Sequence, residues 1–498
     1  MADKVKALMV LGTGSGAGKS LIAAGLLRIL SDMGCNAAPF KAQNMALNSY
    51  ITKDGGEIGR AQALQAEAAR VEATTDMNPI LLKATGPAGC QVITCGRVHG
   101  NMTAGQYYGW KDEAWRIATS AYERLAGRHD IVIMEGAGSP AEINLMDKDI
   151  VNMRMASHAG AKAVLVGDID RGGVFASLYG TISLLGEEGR GLIQGYIINK
   201  FRGDEAILAP GLKMLEEMTG VQSLGVIPYL DLSLSEEDSL CLDSRRARAF
   251  RGPALKVVVV RNPFISNFTD FEPLAMEPDV EVVYSNRASE IEGADLVIVP
   301  GSKNTSKDLL SLRETGLEES IRRAVKKGIP LIGICGGFQM LGGVIKDPGG
   351  VESEFAEIRG FGLLEIETVL EEPKITSQVE ATEPGTEGIT DEKLSGYEIH
   401  AGRSTGELGL FELKRLATGE RVPDGSKKGD VWGTYIHGIF ENDAFRGRLL
   451  NALRKRAGLP ERTPVSYGAL KEGGLNALAA AIRGSLDFGK IERLLCIG

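Results

Sequence analysis

Short apolar runs alternate with helix-period stretches along the first half of the chain. The run VKALMVL (residues 5–11) predicts a buried parallel strand, and a glycine-rich loop and an amphipathic helix from about Lys19 to Leu30 follow it. Further strands are predicted at Ile131–Met134, Ala163–Val166 and Leu192–Ile198. Because helical patterns separate these strands, we predict a doubly wound α/β domain with a parallel sheet.

This pattern stops near the middle of the chain and then restarts. Residues 231–253 are charged and show no apolar periodicity, which is typical of a connection between domains. Strands are predicted again at Leu255–Val260, Val280–Tyr284, Leu296–Val299 and Pro330–Ile334. The predicted parts are therefore a first domain (1–230), a linker (231–253), a second α/β domain (254–455) and a helical C-terminal extension (456–498).

One stretch of the second domain is rich in Glu, Thr, Pro and Gly. It covers residues 371–395, and its composition predicts an exposed excursion from the domain.

Composition excludes several classes of function. The chain has 498 residues, enough for two large cores, and its net charge of −9 would repel a nucleic-acid backbone. No apolar run approaches the roughly 18 residues that a membrane helix needs, and no signal-peptide cleavage site precedes the glycine loop. We therefore expect a cytoplasmic protein that binds neither nucleic acid nor membranes. The six cysteines form no CxxC pair, so no zinc site is predicted.

The glycine-rich loop lies between a strand and a helix, where free backbone N–H groups and the helix dipole favour phosphate oxygens. Its residues are Gly12, Thr13, Gly14, Ser15, Gly16, Ala17, Gly18, Lys19 and Ser20. Lys19 is expected to reach the β- and γ-phosphates of ATP, and Ser20 a Mg²⁺ ion. Thr13 stands where the strict pattern has glycine. This variant resembles the loop of dethiobiotin synthetase, a resemblance that implies acyl phosphate chemistry.

Polar residues follow three of the predicted strands, at the edge of the sheet where ligands gather. Glu135 is a candidate Mg²⁺ ligand or neighbour of the γ-phosphate. Asp168 and Arg171 follow the next strand, and metal, phosphate or a substrate carboxylate could each be their partner. Asn199 stands where related folds read the nucleotide base, although a helix cap would explain it nearly as well. Ser20, Glu135 and Asp168 are thus the candidate metal ligands.

The segment PLIGICGGFQMLG (residues 330–342) is an apolar strand that breaks at Cys335 into a glycine-flanked helix. Such a turn exposes the thiol, and a helix N-terminus stabilises its thiolate. The pattern resembles class I glutamine amidotransferases. Attack on the glutamine amide makes an oxyanion, for which the backbone N–H groups of Gly301 and Gly336 are the expected donors.

Thiolate chemistry of this kind needs a histidine that acts as base and acid. His437 ends an apolar strand-like run downstream of Cys335 and is the candidate, with His400 as its rival. Most members of the class have Glu two residues after the histidine, but here that residue is Ile439. Either the pair works as a dyad, or Glu441 or another acid completes the triad.

Together, the two halves resemble the group of cobyric acid synthases and cobyrinic acid diamide synthases over nearly the whole chain. Four strings look like cobyric acid synthases in particular: FKAQNMALNS (40–49), GEIGRAQALQA (56–66), GAGSPAEINL (136–145) and DIDRGGVF (168–175). The resemblance implies ATP- and glutamine-dependent amidation of the b, d, e and g carboxylates of adenosylcobyrinic acid a,c-diamide. Within those strings, the polar side chains suited to the corrin rim are Lys41, Gln43, Asn44, Asn48 and Arg171.

Two other functions are compatible with parts of the sequence. A cobyrinic acid a,c-diamide synthase would use the same chemistry on a different corrinoid. A partition-type nucleotide switch would carry a degenerate second domain, but the intact turn at Cys335 argues against that function.

Overall fold

The computed structural model describes residues 5–86, 89–231, 254–353, 355–384 and 393–497. The linker prediction therefore lies outside the described residues, apart from Asp231. The described residues divide into two compact units, each assembled from separated parts of the chain. The first holds residues 5–46, 58–231 and 471–497, and the second holds 47–57 and 254–470. These units differ from the predicted parts 1–230, 254–455 and 456–498 in two places. Residues 47–57 of the predicted first domain belong to the second unit, and residues 471–497 of the predicted C-terminal extension belong to the first.

The strands of the first half are β1 (Lys6–Gly12), β2 (Ala37–Phe40), β3 (Gln43–Met45), β4 (Ser49–Ile51), β5 (Glu57–Gly59), β6 (Ile80–Gly86), β7 (Gly89–Thr94), β8 (Arg97–Thr103), β9 (Ile131–Glu135), β10 (Lys162–Asp168), β11 (Ile193–Phe201) and β12 (Ser223–Pro228). Those of the second half are β13 (Leu255–Val260), β14 (Val280–Ser285), β15 (Leu296–Val299), β16 (Leu331–Ile334), β17 (Val344–Lys346), β18 (Glu357–Arg359), β19 (Ile366–Thr382), β20 (Leu394–Gly406), β21 (Phe411–Arg415), β22 (Arg421–Asp424), β23 (Ser426–Lys428) and β24 (Val431–Thr434).

The helices are α1 (Lys19–Asp32), α2 (Arg60–Ala68), α3 (Ala104–Ala126), α4 (Met153–Ala159), α5 (Val174–Leu184), α6 (Gly186–Leu192), α7 (Glu205–Thr219), α8 (Glu272–Ala275), α9 (Ala288–Ile291), α10 (Thr305–Glu314), α11 (Leu317–Lys326), α12 (Gly336–Leu341), α13 (Asp443–Arg456), α14 (Tyr467–Ser485) and α15 (Phe488–Leu495). Short 3₁₀ helices cover Thr75–Met77, Met146–Lys148, Phe268–Phe271 and Ile439–Glu441. Within the described ranges, no helix is long and apolar enough to cross a bilayer.

The first unit is built on a parallel sheet in the order β12-β11-β10-β1-β9-β2. Side chains of β1 alternate between its two faces: Leu8 and Val10 pack with α1, while Met9 and Leu11 join the core on the other face. The strand order reverses at β1, which has β9 and β2 on one side and β10, β11 and β12 on the other. The loop that follows β1 therefore opens at the switch point, where ligands bind in such sheets. The doubly wound α/β prediction is confirmed for this unit.

The C-terminal helices complete the first unit because one sheet cannot cover α1. That helix is apolar on two sides, and Leu475, Leu478 and Ile482 of α14 bury the side that turns away from the sheet. A Cβ atom on Gly25 would lie 2.3 Å from the Ile482 side chain, so the helices approach closely. Both guanidinium NH groups of the buried Arg28 bind the Glu472 carboxylate, at 2.7 and 2.8 Å.

The second unit contains a mainly parallel sheet in the order β14-β13-β15-β16-β24-β23, in which only β23 is antiparallel to its neighbour. This confirms the second α/β prediction. A second sheet, β18-β17-β19-β21-β22, carries β20 beside β19. The stretch predicted as an exposed excursion (371–395) is largely part of this sheet, since β19 and β20 pair and bury Val379 and Ala381. Its alternating polar side chains hid the strand; residues 385–392 lie outside the described part.

Buried arginines fasten α13 to the second unit. Arg446 is fully buried; it binds Glu277 at 2.8 Å and the carbonyl of Phe440 at 2.8 Å, which holds the 3₁₀ turn that follows His437.

Replacing Arg446 by methionine should lower the free energy of unfolding of this unit by about 3–5 kcal/mol, because the buried Glu277 carboxylate would lose its close cation and keep only Arg454, at 3.9 Å. Chemical denaturation measures the change. The matched control is Arg456→Met, which breaks an exposed pair with Asp430 and should cost less than about 1 kcal/mol. Equal losses in the two variants would contradict the expectation.

Candidate active site

The phosphate loop is held in shape by contacts from other strand ends. Lys19 Nζ donates to the carbonyls of Gly14 (2.8 Å) and Gly138 (3.0 Å) and so folds over the loop. Asn199 Nδ2 donates to the carbonyl of Ala17 at 2.9 Å. At Gly18, φ is 99° and a Cβ atom would lie 2.1 Å from Asn199, so only glycine fits there. Asn199 therefore supports the loop itself, a role that the sequence did not suggest.

Glu135 lies at the centre of a buried polar cluster beside the loop. Its Oε1 accepts from Ser20 Oγ (2.8 Å) and Lys41 Nζ (2.9 Å), and its Oε2 accepts from Gln65 Nε2 (2.6 Å). Burial raises the pKa of Glu135, but Lys41, Ser20 and Gln65 lower it by more, so the carboxylate stays ionised. Two of the three predicted metal ligands, Ser20 and Glu135, are thus in contact.

Asp168, the third predicted ligand, has basic neighbours. Its Oδ2 lies 3.0 Å from Lys200 Nζ and 3.5 Å from Arg171 Nε. No group of three or more His, Cys, Asp or Glu side chains that could hold a metal ion occurs among the described residues. A hydroxyl and a carboxylate beside a phosphate loop nevertheless suit Mg²⁺, because that ion is commonly held by one or two protein oxygens together with phosphate and water.

The predicted corrin-binding residues have different surroundings. Gln43 Oε1 accepts from Tyr107 at 2.5 Å, and Asn44 Nδ2 donates to Gln62 at 3.0 Å. The side chain of Arg171 is 69% exposed. Asn48 belongs to the second unit, where its Oδ1 accepts from the backbone N–H of Phe268 at 3.0 Å.

Cys335 forms the predicted sharp turn between β16 and α12. Its backbone has φ 51° and ψ −108°, a conformation that non-glycine residues rarely adopt. Two glycines permit the turn: a Cβ atom on Gly337 would lie 1.9 Å from the carbonyl oxygen of Val299, and one on Gly336 would lie 2.9 Å from the nitrogen of Ser302. The turn therefore packs its glycines against the loop that follows β15, and the Cys335 sulfur lies 3.6 Å from the carbonyl oxygen of Ile399.

The structure supplies an acid for His437 from a part of the chain that the sequence reasoning did not consider. Asp270 Oδ2 lies 2.6 Å from His437 Nδ1, and Asp270 Oδ1 accepts from the N–H of Gly438 at 3.1 Å. Asp270 lies on the 3₁₀ helix after β13, far in sequence from Ile439 and Glu441. Its only sequence signal is an acid in the loop after a buried strand.

The bond to Asp270 fixes which ring nitrogen of His437 can react. Nδ1 carries the proton shared with the carboxylate, so Nε2 is left as the exchanging nitrogen; it has no hydrogen-bond partner within the described structure. Burial lowers the pKa of His437, but the charges of Asp270 and Cys335 raise it by more, to about 10. The ring is therefore an imidazolium at neutral pH.

His400, the rival base, is engaged at both ring nitrogens. Nδ1 lies 2.6 Å from the carbonyl of Gly402 and Nε2 lies 3.1 Å from Glu398 Oε1, while the ring stacks on Tyr435 at 3.7 Å. A ring held on both edges and one face is a structural group. The geometry favours His437 as the base.

The loop after β15 lies beside His437, as the oxyanion-hole prediction requires. A Cβ atom on Gly301 would lie 3.4 Å from His437 Cε1. The loop is fixed by Asp308, which accepts from Ser302 Oγ (2.6 Å) and from the N–H of Phe264 (3.0 Å). Burial raises the pKa of Asp308 to about 7 despite these bonds. Gly301, Gly336, Cys335 and His437 thus meet at one place.

Comparison with known families assigns both halves. Residues 8–240 match the CobQ/CobB/MinD/ParA nucleotide binding domain. Residues 256–445 match the CobB/CobQ-like glutamine amidotransferase domain.

Full-length relatives have the same extent as this chain. The cobyric acid synthase of Thermodesulfovibrio yellowstonii is 49% identical over 98% of this chain and 98% of that protein. The cobyric acid synthase of Syntrophobacter fumaroxidans is 47% identical over 99% of both, and so is that of Clostridium tetani.

We expect the ring of His437 to titrate near pH 10, and Asp270→Asn to lower its pKa, because the substitution removes the carboxylate that stabilises the charged ring. NMR of histidine labelled with ¹⁵N in the ring, with the signal assigned through His437→Gln, measures both values. A ring that titrates near its ordinary pKa of roughly 6.5 in both proteins would contradict the role of Asp270.

Proposed function

The chain belongs to the cobyric acid synthase family, and we propose that it amidates the b, d, e and g carboxylates of adenosylcobyrinic acid a,c-diamide with ATP and glutamine. It is a glutamine-dependent amidoligase. The observation that carries the proposal is the buried constellation of Cys335, His437 and Asp270 in a chain that also holds a phosphate loop. ATP and glutamine are abundant in the cytoplasm, which is where we place the reaction.

The second unit makes ammonia. The Cys335 thiolate attacks the amide carbon of glutamine, and the N–H groups of Gly301 and Gly336 stabilise the oxyanion. His437 gives the proton on Nε2 to the departing ammonia, which leaves a thioester on Cys335. His437 then takes a proton from water, whose oxygen attacks the thioester, and glutamate and the free thiolate result. Asp270 holds the ring throughout.

The first unit activates the acceptor. A corrinoid carboxylate oxygen attacks the γ-phosphorus of ATP, so that ADP leaves and an acyl phosphate forms; ammonia then displaces phosphate from the acyl carbon. Lys19 has to leave the carbonyls of Gly14 and Gly138 to reach the phosphates. Ser20 and Glu135 are the residues that would hold Mg²⁺, and Asp168, at the end of the neighbouring strand β10, is the third candidate ligand. When bound, Mg²⁺ would supply positive charge to phosphate oxygens.

Four side chains of the first unit are proposed to meet the corrinoid. They are Lys41, Gln43, Asn44 and Arg171, which offer donors for peripheral carboxylates and amides. Lys41 pairs with Glu135 in this structure. To bind the corrinoid, Lys41 would have to leave Glu135, and a cation bound at Glu135 would then pair with that buried carboxylate in its place.

The a,c-diamide synthase alternative predicts a different acceptor. Supplying cobyrinic acid and its a,c-diamide separately distinguishes the two. Amidation of the diamide supports the proposal, and amidation of cobyrinic acid alone would replace it.

Cys335→Ala should abolish glutamine-dependent amidation and retain amidation from ammonium salts, because only the ammonia-producing step needs the thiolate. Mass analysis of corrinoid products with each nitrogen donor checks this. Cys90→Ala serves as the control, since Cys90 lies in β7 of the first unit. Glutamine-dependent product from Cys335→Ala would overturn the glutaminase assignment.

Lys19→Met should lose amidation from both nitrogen donors, because the acceptor can no longer be phosphorylated efficiently. The expected loss is on the order of a hundredfold or more. The same product assay measures it, with Lys213→Met on α7 as a control that preserves both reactions. Retention of the ammonia-dependent reaction in Lys19→Met would contradict the assigned role of the loop.

A further inference from the structure

A short segment from the N-terminal half of the sequence lies inside the glutaminase unit. We propose that this segment, Leu47–Glu57, is a positioning element of the glutaminase, in which Asn48 and Ser49 hold the Asp270 turn and the Tyr397 ring around His437. The proposal rests on the proposed function of Cys335 and His437. It assigns Asn48 to the ammonia-producing reaction, whereas its sequence string suggested the corrinoid.

Three residues of the segment are as deeply buried as the core of the second unit. Asn48 and Ser49 are each 1% exposed, and Ile51 is 0% exposed and packs with Tyr397 and Ile399. Such burial of a short loop requires partners for its polar groups. Those partners are the residues around His437.

Asn48 holds the turn that carries Asp270. Its Oδ1 accepts from the N–H of Phe268 at 3.0 Å, at the first residue of the 3₁₀ helix Phe268–Phe271. A free N–H at a helix start normally finds a side-chain cap from its own neighbourhood in sequence. Here the acceptor comes from more than two hundred residues earlier, so the position of Asp270 depends on this segment.

Ser49 holds the ring that covers His437. Its carbonyl accepts from Tyr397 Oη at 3.1 Å, and Asn267 Nδ2 reaches both Tyr397 Oη (2.8 Å) and the Ser49 carbonyl (3.3 Å). The Tyr397 ring stacks on His437 with centroids 5.2 Å apart and planes 16° apart. One edge and one face of the imidazole are thus both tied to residues 48 and 49.

The far end of the segment is anchored in the same unit. Lys374 pairs with Glu57 at 3.0 Å, and Ser49 Oγ donates to the same carboxylate at 2.8 Å. Thr376 Oγ1 donates to the carbonyl of Gly55 at 2.7 Å. The segment is therefore held at both ends within the second unit, where it supports the surroundings of His437. The chain on either side of it belongs to the first unit.

Two variants test this support. Asn48→Ala removes the acceptor for Phe268, and Tyr397→Phe removes the hydroxyl but keeps the ring on His437. Each should lower kcat for glutamine hydrolysis about tenfold to a hundredfold with little change in KM, because the base is misplaced while glutamine still binds. The alkaline limb of the pH profile should move to lower pH, because Asp270 is held less firmly at the charged ring.

The controls separate positioning from general damage. Lys53→Ala changes an exposed residue of the same segment and should preserve kcat within about twofold. Thermal unfolding of each variant shows whether it is folded, and simple destabilisation would not move the alkaline limb. If Asn48→Ala fails to fold, Tyr397→Phe still decides the question.

Two results would overturn the proposal. One is an unchanged kcat and pH profile for both variants. The other is a raised KM for the corrinoid in the ammonia-dependent reaction of Asn48→Ala with normal glutamine hydrolysis, which would place Asn48 at the acceptor. Failure of the proposed function is distinct, because glutamine hydrolysis would then survive in Cys335→Ala.

Discussion

The buried contact between Asp270 and His437 is the interaction on which the glutaminase centre depends. Burial in the protein disfavours the charged forms of both the carboxylate and the imidazole, and their close pairing offsets that penalty. The pair then fixes three properties together: which ring nitrogen can exchange its proton, the orientation of the ring and its charge near neutral pH. A thiolate beside an imidazolium is a stable pair, whereas beside a neutral ring it would be a buried, uncompensated charge.

Both units place their chemistry where parallel strands end. In the first unit the phosphate loop follows β1, Glu135 ends β9 and Asp168 ends β10; in the second, Gly301 follows β15, Cys335 follows β16 and His437 follows β24. Parallel strands bring all their carboxyl ends to one edge, and the next backbone turns there leave N–H groups unpaired. The same construction suits anionic phosphates in one unit and the proposed oxyanion in the other.

The chain is more than two domains joined by a linker. α14 and α15 return to the first unit because α1 has too much apolar surface for one sheet to cover, and the segment 47–57 leaves that unit to pack in the second. Each unit is thus incomplete without a remote part of the sequence. Either half of the chain alone would therefore lack a segment that packs in its unit.

The sequence by itself determined the two α/β units, the phosphate loop, the turn at Cys335 and the choice of His437 as candidate base. These features depend on residues that are adjacent in the chain, since strand periodicity, glycine spacing and a helix start are local constraints. Only the tertiary structure decided that Asp270 faces His437, that Asn199 supports the loop, and that Asn48 packs beside the glutaminase. Those contacts join residues far apart in sequence. Burial and close packing select such partners, and a single sequence carries no local pattern that records them.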